Sequence, residues 1–218
     1  MKRYLTDFPY WDKLSEQEKQ LVASSAVTKK YSKGESIHSC DKNCLGMVYI
    51  ISGKIKLYLL SDEGKEVTLF YLGRGETCVL AASCVLSHIT FQSELSAAED
   101  TELLIVPASV FSKLINNNIY VRCYTYELSA KRFSDVMWTM QQILFLSLDK
   151  RLATYLVSEM DKQNTTTLKL TQEQIAADIN SAREAVARML KQFSADGLVE
   201  SKRGLIIIKD REGLKNIL

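Results

Sequence analysis

Three charged side chains in the C-terminal third have the types and spacing to read nucleic-acid bases. They are Arg183, Glu184 and Arg188, in the run Ser181-Ala182-Arg183-Glu184-Ala185-Val186-Ala187-Arg188-Met189-Leu190. An arginine fork can bond bidentately to guanine O6 and N7, and a glutamate can accept from cytosine N4. Each good pair is worth ~1–3 kcal/mol of discrimination between bases. That chemistry needs all three groups on one helix face, near the N-terminal end, where a recognition helix meets base edges. Ala185, Val186, Met189, Leu190 and Phe193 supply an opposite, apolar face at helical spacing. A solvated charged face on a surface helix has the same composition, so the surroundings must decide.

Those surroundings read as a helix-turn-helix. Thr171 and Gln174 have capping-box spacing, which satisfies the orphan amides of a first turn. Ile175, Ala176 and Ile179 give the first helix one apolar face, and Asp178-Ile179-Asn180 has the composition of a tight turn. Ser181 and Glu184 repeat the capping-box spacing and predict that Ser181 caps the second helix. Thr171, Gln172 and Ser181, at the two helix starts, join the residues expected to face DNA. Gly197 is placed to end the second helix. Residues 198–201 and 205–208 then read as strands around the basic tip 201–204, a hairpin of the kind that forms the wing of a winged helix. Lys202 and Arg203 could contact phosphate, which positions a protein without reading sequence. A basic turn on an ordinary surface is the other reading.

Composition limits the alternatives. The chain has 218 residues, 46% hydrophobic and 25% charged, and a net charge of only +2. From Ser147 onward there are 12 basic and 10 acidic residues, and the rest of the chain is neutral. A strongly basic polymer-binder is excluded, so DNA affinity must come from local placement and two-fold symmetry. No apolar run approaches the ~18 residues of a membrane span. The start, MKRYLTDFPYWDKL, has two early basic residues but no apolar run after them, unlike a signal peptide. A cytoplasmic location and no membrane partner are the expectations. Five cysteines, an odd number, do not suggest a disulfide scaffold. An enzyme of the cupin type would need several histidine ligands, but only His38 and His88 exist, in no His-x-His pair. No Ser-His-Asp arrangement or phosphate loop is evident, so no enzymatic activity is expected.

The first 115 residues carry a different pattern. Turn signals recur at 33–35, 41–43, 52–54, 62–65 and 73–75, around apolar runs at 47–51, 55–60, 67–72 and 102–106, the last of them stopped by Pro107. Short strands at intervals of about ten residues predict a sandwich or barrel, closed as a jelly-roll-like β-roll. A long helix is expected over 118–145. Ile119, Cys123, Tyr126, Ala130, Phe133, Met137, Met140 and Leu144 recur at alternating four- and three-residue steps, as in a coiled-coil seam. Val121, Leu128, Val136, Trp138 and Ile143 could form a second face packed on the β-domain. A homodimer through the seam is favoured over one wide helix buried in a monomer, because a two-fold helix-turn-helix protein needs such a spine. The expected fold class is α+β. Its parts are a β-roll sensor at 1–115, a dimerisation helix at 116–147 and a winged helix-turn-helix at 148–218.

This order of parts resembles the CRP/FNR transcription regulators over nearly the whole chain. The most specific piece is 181–190, which resembles the family's recognition helix. There, an Arg-Glu pair and an Arg four residues after the Glu read the half-site, and Arg183, Glu184 and Arg188 match those positions. The FNR branch usually has Ser before the final Arg, where this chain has Ala187. The resemblance therefore implies a palindromic operator with TGTGA-like or TTGA-like half-sites, and RNA polymerase as a further partner. Ser52-Gly53, Asp62-Glu63-Gly64 and Gly73-Arg74-Gly75-Glu76 resemble the glycine turns of the family's β-roll.

The sensor departs from the family pattern. Cyclic-nucleotide members carry a Gly-Glu-containing helix followed by Arg-Ser or Arg-Thr, because a buried cyclic phosphate needs an arginine fork and a helix N-terminus. Here the segment starts at Gly75-Glu76 and passes through Cys78 and Cys84, and the expected Arg falls near Gln92-Ser93. Residues 77–93 contain no Arg or Lys, so cAMP is not the expected ligand. A cyclic-nucleotide or small-ligand binding module without DNA activity is the rival reading, and it predicts tight nucleotide binding and no operator preference. Gly75, Glu76, Cys78, Cys84, Gln92 and Ser93 outline a pocket for an unidentified small effector. Cys40, Cys44, Cys78 and Cys84, with Cys123 in reserve, could hold an iron–sulfur cluster, since four thiolates are the usual set. Cys78, His38 or His88 could instead ligate haem. Cysteines serving as small buried hydrophobes, or as a thiol switch, are the remaining readings.

Overall fold

The computed structural model describes residues 2–38, 45–85 and 93–218, and their side chains except at 2, 3 and 82–84. It divides into two compact units, Met1–Met137 and Trp138–Leu218.

Two four-stranded antiparallel sheets build the first unit among the described residues. One runs β1 (Val27–Tyr31), β8 (Thr101–Pro107), β3 (Gly46–Ser52), β6 (Thr77–Cys78). The other runs β2 (Ser36–His38), β7 (Glu94–Ala97), β4 (Lys54–Leu60), β5 (Glu66–Gly73). The unbroken apolar runs of β3 and β8 follow from burial on both faces. Val48, Ile50, Leu103 and Ile105 point between the sheets, against Ile55, Leu57, Leu72 and Leu95. The alternate residues Met47, Tyr49, Ile51, Leu104 and Val106 enter a second core with Phe8, Val22, Phe111 and Leu114. That is the period-two alternation of a strand, with no polar face left over. The β3–β4 turn needs glycine: Gly53 has φ +82, and a Cβ there would sit 2.4 Å from the Asp100 carbonyl oxygen. The jelly-roll-like β-roll expected from the strand spacing is the architecture observed.

Helices cover the outer face of the β1–β8–β3–β6 sheet. After the short helix α1 (Lys2–Leu5) comes α2 (Glu16–Ser25), where Ser15 and Glu18 close a capping box. The helix α3 (Ala108–Asn117) is not anticipated by the sequence pattern, where Pro107 reads only as a strand terminator. Pro107 is also its N-cap, and Val110, Phe111, Leu114 and Ile115 are buried. Asn118 then links three elements. Its Oδ1 accepts from the amides of Tyr120 and Val121, capping α4 (Ile119–Phe145), and its side-chain amide donates to the Lys13 carbonyl and the Glu18 carboxylate.

Helix α4 has the two faces that the periodicity predicts, with one correction. Val121 and Leu128 pack in the helix-covered core and Val136 against the inter-sheet core. The seam faces solvent: Cys123, Tyr126, Ala130, Phe133, Met137 and Leu144 are exposed, with Phe133 and Leu144 each at 65%, and Met140 is half-buried. Trp138, expected on the packed face, is 59% exposed. At ~100° per residue it lies roughly 200° around the helix from Val136, away from the packed stripe. Among the described residues, no helix is long and apolar enough to cross a membrane.

The second unit contains α5 (Leu148–Gln163), β9 (Thr167–Leu168), α6 (Gln172–Asp178), α7 (Arg183–Ala195), β10 (Val199–Lys202), β11 (Leu205–Ile208) and α8 (Arg211–Lys215). Leu152, Leu156, Ile175, Val186, Leu190, Phe193, Val199, Ile206 and Leu214 form its core. The hairpin β10–β11 gains a third strand, β9, through Leu168 opposite Ile206. Two residues in a threonine-rich stretch carry no strand signal of their own, so β9 is visible only through its partner.

Candidate nucleic-acid interface

Helix α6 opens on the predicted box. Thr171 Oγ1 accepts from the Gln174 amide at 3.1 Å, and Gln174 Oε1 accepts from the Thr171 amide at 2.8 Å. The helix closes with Asn180 in the left-handed region at φ +52, while the Ser181 amide donates to the Ala176 carbonyl at 2.9 Å. This six-to-one bond over a left-handed residue is a Schellman closure. It corrects the expectation for Ser181. Because its amide is committed to ending α6, the next helix starts later, with Ala182 as N-cap and no side-chain capping bond. Glu184 sits in the first turn of α7, where a negative charge suits the helix dipole, but it forms no box.

Helix α7 buries Val186, Leu190 and Phe193 and turns Arg183, Glu184 and Arg188 outward. These three side chains are exposed and hold no hydrogen bond or ion pair among the described residues. Lys191, not singled out by the sequence pattern, is also exposed and uncommitted. Its signal was legible: it lies seven residues after Glu184 and three after Arg188, on the same helical face. Thr171 is exposed and Gln172 half-buried at the start of α6. The helix ends as Gly197 predicts, with Asp196 as C-cap, Gly197 at φ +76, and the Leu198 amide bonded to the Phe193 carbonyl at 2.9 Å.

The wing hairpin closes on the pair Lys202–Leu205, with Arg203-Gly204 at its tip and Gly204 at φ +71. Arg203 is exposed and unpaired among the described residues. Lys202 is not free: its Nζ lies 2.7 Å from Glu200, whose other oxygen lies 2.7 Å from Lys209. The two ammonium groups hold the Glu200 carboxyl down at about 2.

In the first unit, Gly75 (φ +85) donates to the Ile50 carbonyl. The Glu76 carboxylate accepts from the Gly73 amide at 2.9 Å and from Arg132 Nη2 at 3.1 Å. Arg132 also donates to Asp135 at 2.9 Å, lies over the Phe70 ring, and is only 6% exposed. Residues 77–93 carry no sign of this cation, because α4 supplies it from 56 residues away in sequence. Cys78 is buried in the inter-sheet core, and burial pushes its thiol up. His38 is buried at the end of β2, and Ser93 is half-buried before β7. Cys123 is exposed on α4, so the described thiols are not brought together. Cys40, Cys44, His88 and Gln92 lie outside the described residues, as does the side chain of Cys84.

Residues 28–118 match the cyclic nucleotide-binding domain and residues 150–217 the Crp-like helix-turn-helix domain. The crystal structure of a CRP/FNR-family transcriptional regulator from Eubacterium rectale superposes with a TM-score of 0.89 at 40% identity. It covers 97% of this chain and 98% of that one. The chain belongs to the CRP/FNR family. Its relatives include the Cyclic AMP receptor protein of Thermus thermophilus, 24% identical over 96% of each chain. The CRP/FNR fold is also that of the c-di-GMP-responsive regulator CLP of Xanthomonas campestris, with a TM-score of 0.74 at 17% identity over 90% of this chain and all of that one. As a CRP/FNR member the chain is a DNA-binding transcription regulator and not an enzyme.

Proposed function

We propose that this CRP/FNR regulator binds a palindromic operator as a homodimer, under control of an effector other than cAMP. The observation that carries the reading is the exposed, uncommitted set Arg183, Glu184 and Arg188 on one face of α7. Arg183 and Arg188 read guanine and Glu184 reads cytosine in TGTGA-like or TTGA-like half-sites. Thr171, Gln172, Ser181, Lys191 and Arg203 hold the register on phosphates, joined by Lys202 where a phosphate draws it from Glu200. Residues 1–115 act as the sensor, 116–147 as the dimerisation helix and 148–218 as the reader. The exposed seam of Cys123, Tyr126, Ala130, Phe133, Met137, Met140 and Leu144 is the dimer contact. The protein acts in the cytoplasm, with RNA polymerase as a further partner.

Two observations support an effector other than cAMP. Residues 77–93 contribute no cation, and the arginine that α4 brings to Glu76 is already shared with Asp135. A cyclic phosphate added there would meet two carboxylates around one guanidinium, a charge balance that opposes an anion. The effector acts near Glu76 and Cys78 and shifts the pose of α4, so that the two α7 helices gain or lose the ~34 Å spacing of successive major grooves.

Selection of operators from a random duplex pool, with sedimentation of the complex, tests the output. Inverted half-sites bound by two chains are expected; a single half-site bound by one chain would refute the dimer. Calorimetry with cAMP tests the input, and micromolar binding would overturn that part. An ultraviolet–visible spectrum with iron and sulfide analysis, on protein prepared without oxygen, sorts the remaining effectors. A Soret band or broad cluster absorption indicates haem or an iron–sulfur group. A colourless protein indicates a small organic ligand or a thiol switch.

A further inference from the structure

The turn between α6 and α7 is gripped by two side chains of α5. Arg151 Nη1 donates to the Ile179 carbonyl at 2.9 Å and reaches the Asn180 carbonyl at 3.4 Å. One helical turn further, the Tyr155 hydroxyl donates to Asp178 Oδ2 at 2.6 Å. The two residues lie at i and i+4, on one face of α5. Ile179 is the C-cap of α6 and Asn180 its left-handed residue, so Arg151 puts a positive charge where the last carbonyls of a helix are unpaired.

Three features argue that this contact sets a direction as well as closing a helix. First, α7 has no side-chain cap, so its first turn carries no local device that fixes the angle at which it leaves the turn. Second, Asn180 is the left-handed C′ residue of α6, so the carbonyls that Arg151 reaches lie where the chain changes direction between the two helices. Third, Arg151 Nε is buried with no partner among the described residues. Such a donor is uncommon in folded proteins and asks for a reason beyond packing. Only two residues separate the end of α4 from the start of α5. The element that grips the turn therefore follows directly in sequence on the helix that bears the seam.

We infer that Arg151, assisted by Tyr155, is a positioning residue for DNA reading: it transmits the pose of α5 to the recognition helix α7 through the carbonyls of the turn. The inference rests on α7 being the reading helix. In this role Arg151 acts through α7 and does not itself touch DNA. Losing the contact should therefore impair base discrimination while leaving phosphate attraction intact.

The test uses the full-length protein with its selected operator and a random duplex of equal length. Arg151→Gln should lower the operator-to-random affinity ratio about tenfold. Affinity for random duplex should stay within about twofold, with an unchanged salt slope, since no phosphate contact is removed. Arg151→Lys, which keeps the charge and a donor but loses the rigid guanidinium fork, should recover part of the ratio. Tyr155→Phe removes one hydroxyl and should lower the ratio about threefold. Thermal melts of each variant identify loss of fold. An unchanged ratio in both Arg151→Gln and Tyr155→Phe overturns the inference. So does a loss of both affinities in step with unfolding, which would mark Arg151 as fold support only. Arg188→Ala run in parallel separates the two levels. If it lowers the ratio and Arg151→Gln does not, only the positioning role fails; if it leaves the ratio unchanged, the reader assignment fails first.

Discussion

Helices α4 and α7 each turn a row of large side chains to solvent, and the rows differ in kind. On α4 the row is apolar, led by Tyr126, Phe133, Met137 and Leu144. On α7 it is charged, with Arg183, Glu184, Arg188 and Lys191 holding no partner among the described residues. Water solvates the charged row well, and it gains free energy only where a polyanion releases counterions to it. Water solvates the apolar row badly, and it gains by meeting a surface like itself. Equal exposure thus marks two different demands, which the proposed function assigns to a second chain and to DNA. The wing offers a third case: the cations of Lys202 and Lys209 are already paired with Glu200.

The apolar row should give the largest effect. Phe133→Asp places a charge in the centre of the seam at a position that is 65% exposed in the single chain. The monomer should stay folded, because exposed sites seldom matter to stability. Sedimentation should show loss of the dimer, and operator affinity should fall by about 10²-fold or more as the second half-site is released. A dimeric variant with normal affinity would break the α4 side of the contrast.

Arg188→Ala comes next. It should lower discrimination between the operator and a half-site variant by roughly 5- to 150-fold, equivalent to ~1–3 kcal/mol. Normal discrimination would return α7 to an ordinary charged surface helix.

A smaller effect, of opposite sign, is expected at the wing. Glu200→Gln frees Lys202 and Lys209, which should strengthen binding to random duplex a few-fold and steepen its salt dependence by about one unit for each further phosphate that a freed lysine neutralises. The pH dependence follows the same carboxyl. Its folded value of about 2 lies below the ordinary 4.5, so its contribution is present above the ordinary value and is lost as pH falls through about 2. Carboxyl titration followed by NMR should place its midpoint there, and a midpoint near 4.5 would show that the pairs are not held in solution. The smallest effect is chemical labelling. Alkylation mapped by mass spectrometry should modify Cys123 in dilute protein and less at concentrations that favour the dimer. Cys78, buried and kept as a neutral thiol, should stay unmodified until unfolding.

Wherever one helix or strand carries its own periodic signal, the sequence by itself determined the result. The four–three spacing of α4, the alternating burial behind β3 and β8, the Thr171–Gln174 box and the Arg183–Glu184–Arg188 face are local patterns of one element. The fold preserved them because the hydrophobic effect rewards the same periodicity that the pattern records. Tertiary structure decided what depends on partners distant in the chain. The two-residue strand β9 exists only because β11 offers it a ladder, and α3 was concealed behind a proline read as a stop. The cation beside Glu76 comes from Arg132 on α4, and the turn of the helix-turn-helix is held by Arg151 on α5. Ser181 shows the limit within a single motif. Its spacing to Glu184 fits a capping box, yet its one backbone N–H could serve only one helix end, and the Schellman closure of α6 took it. A residue's hydrogen-bonding capacity is finite, and only the assembled chain decides which of two competing local patterns receives it.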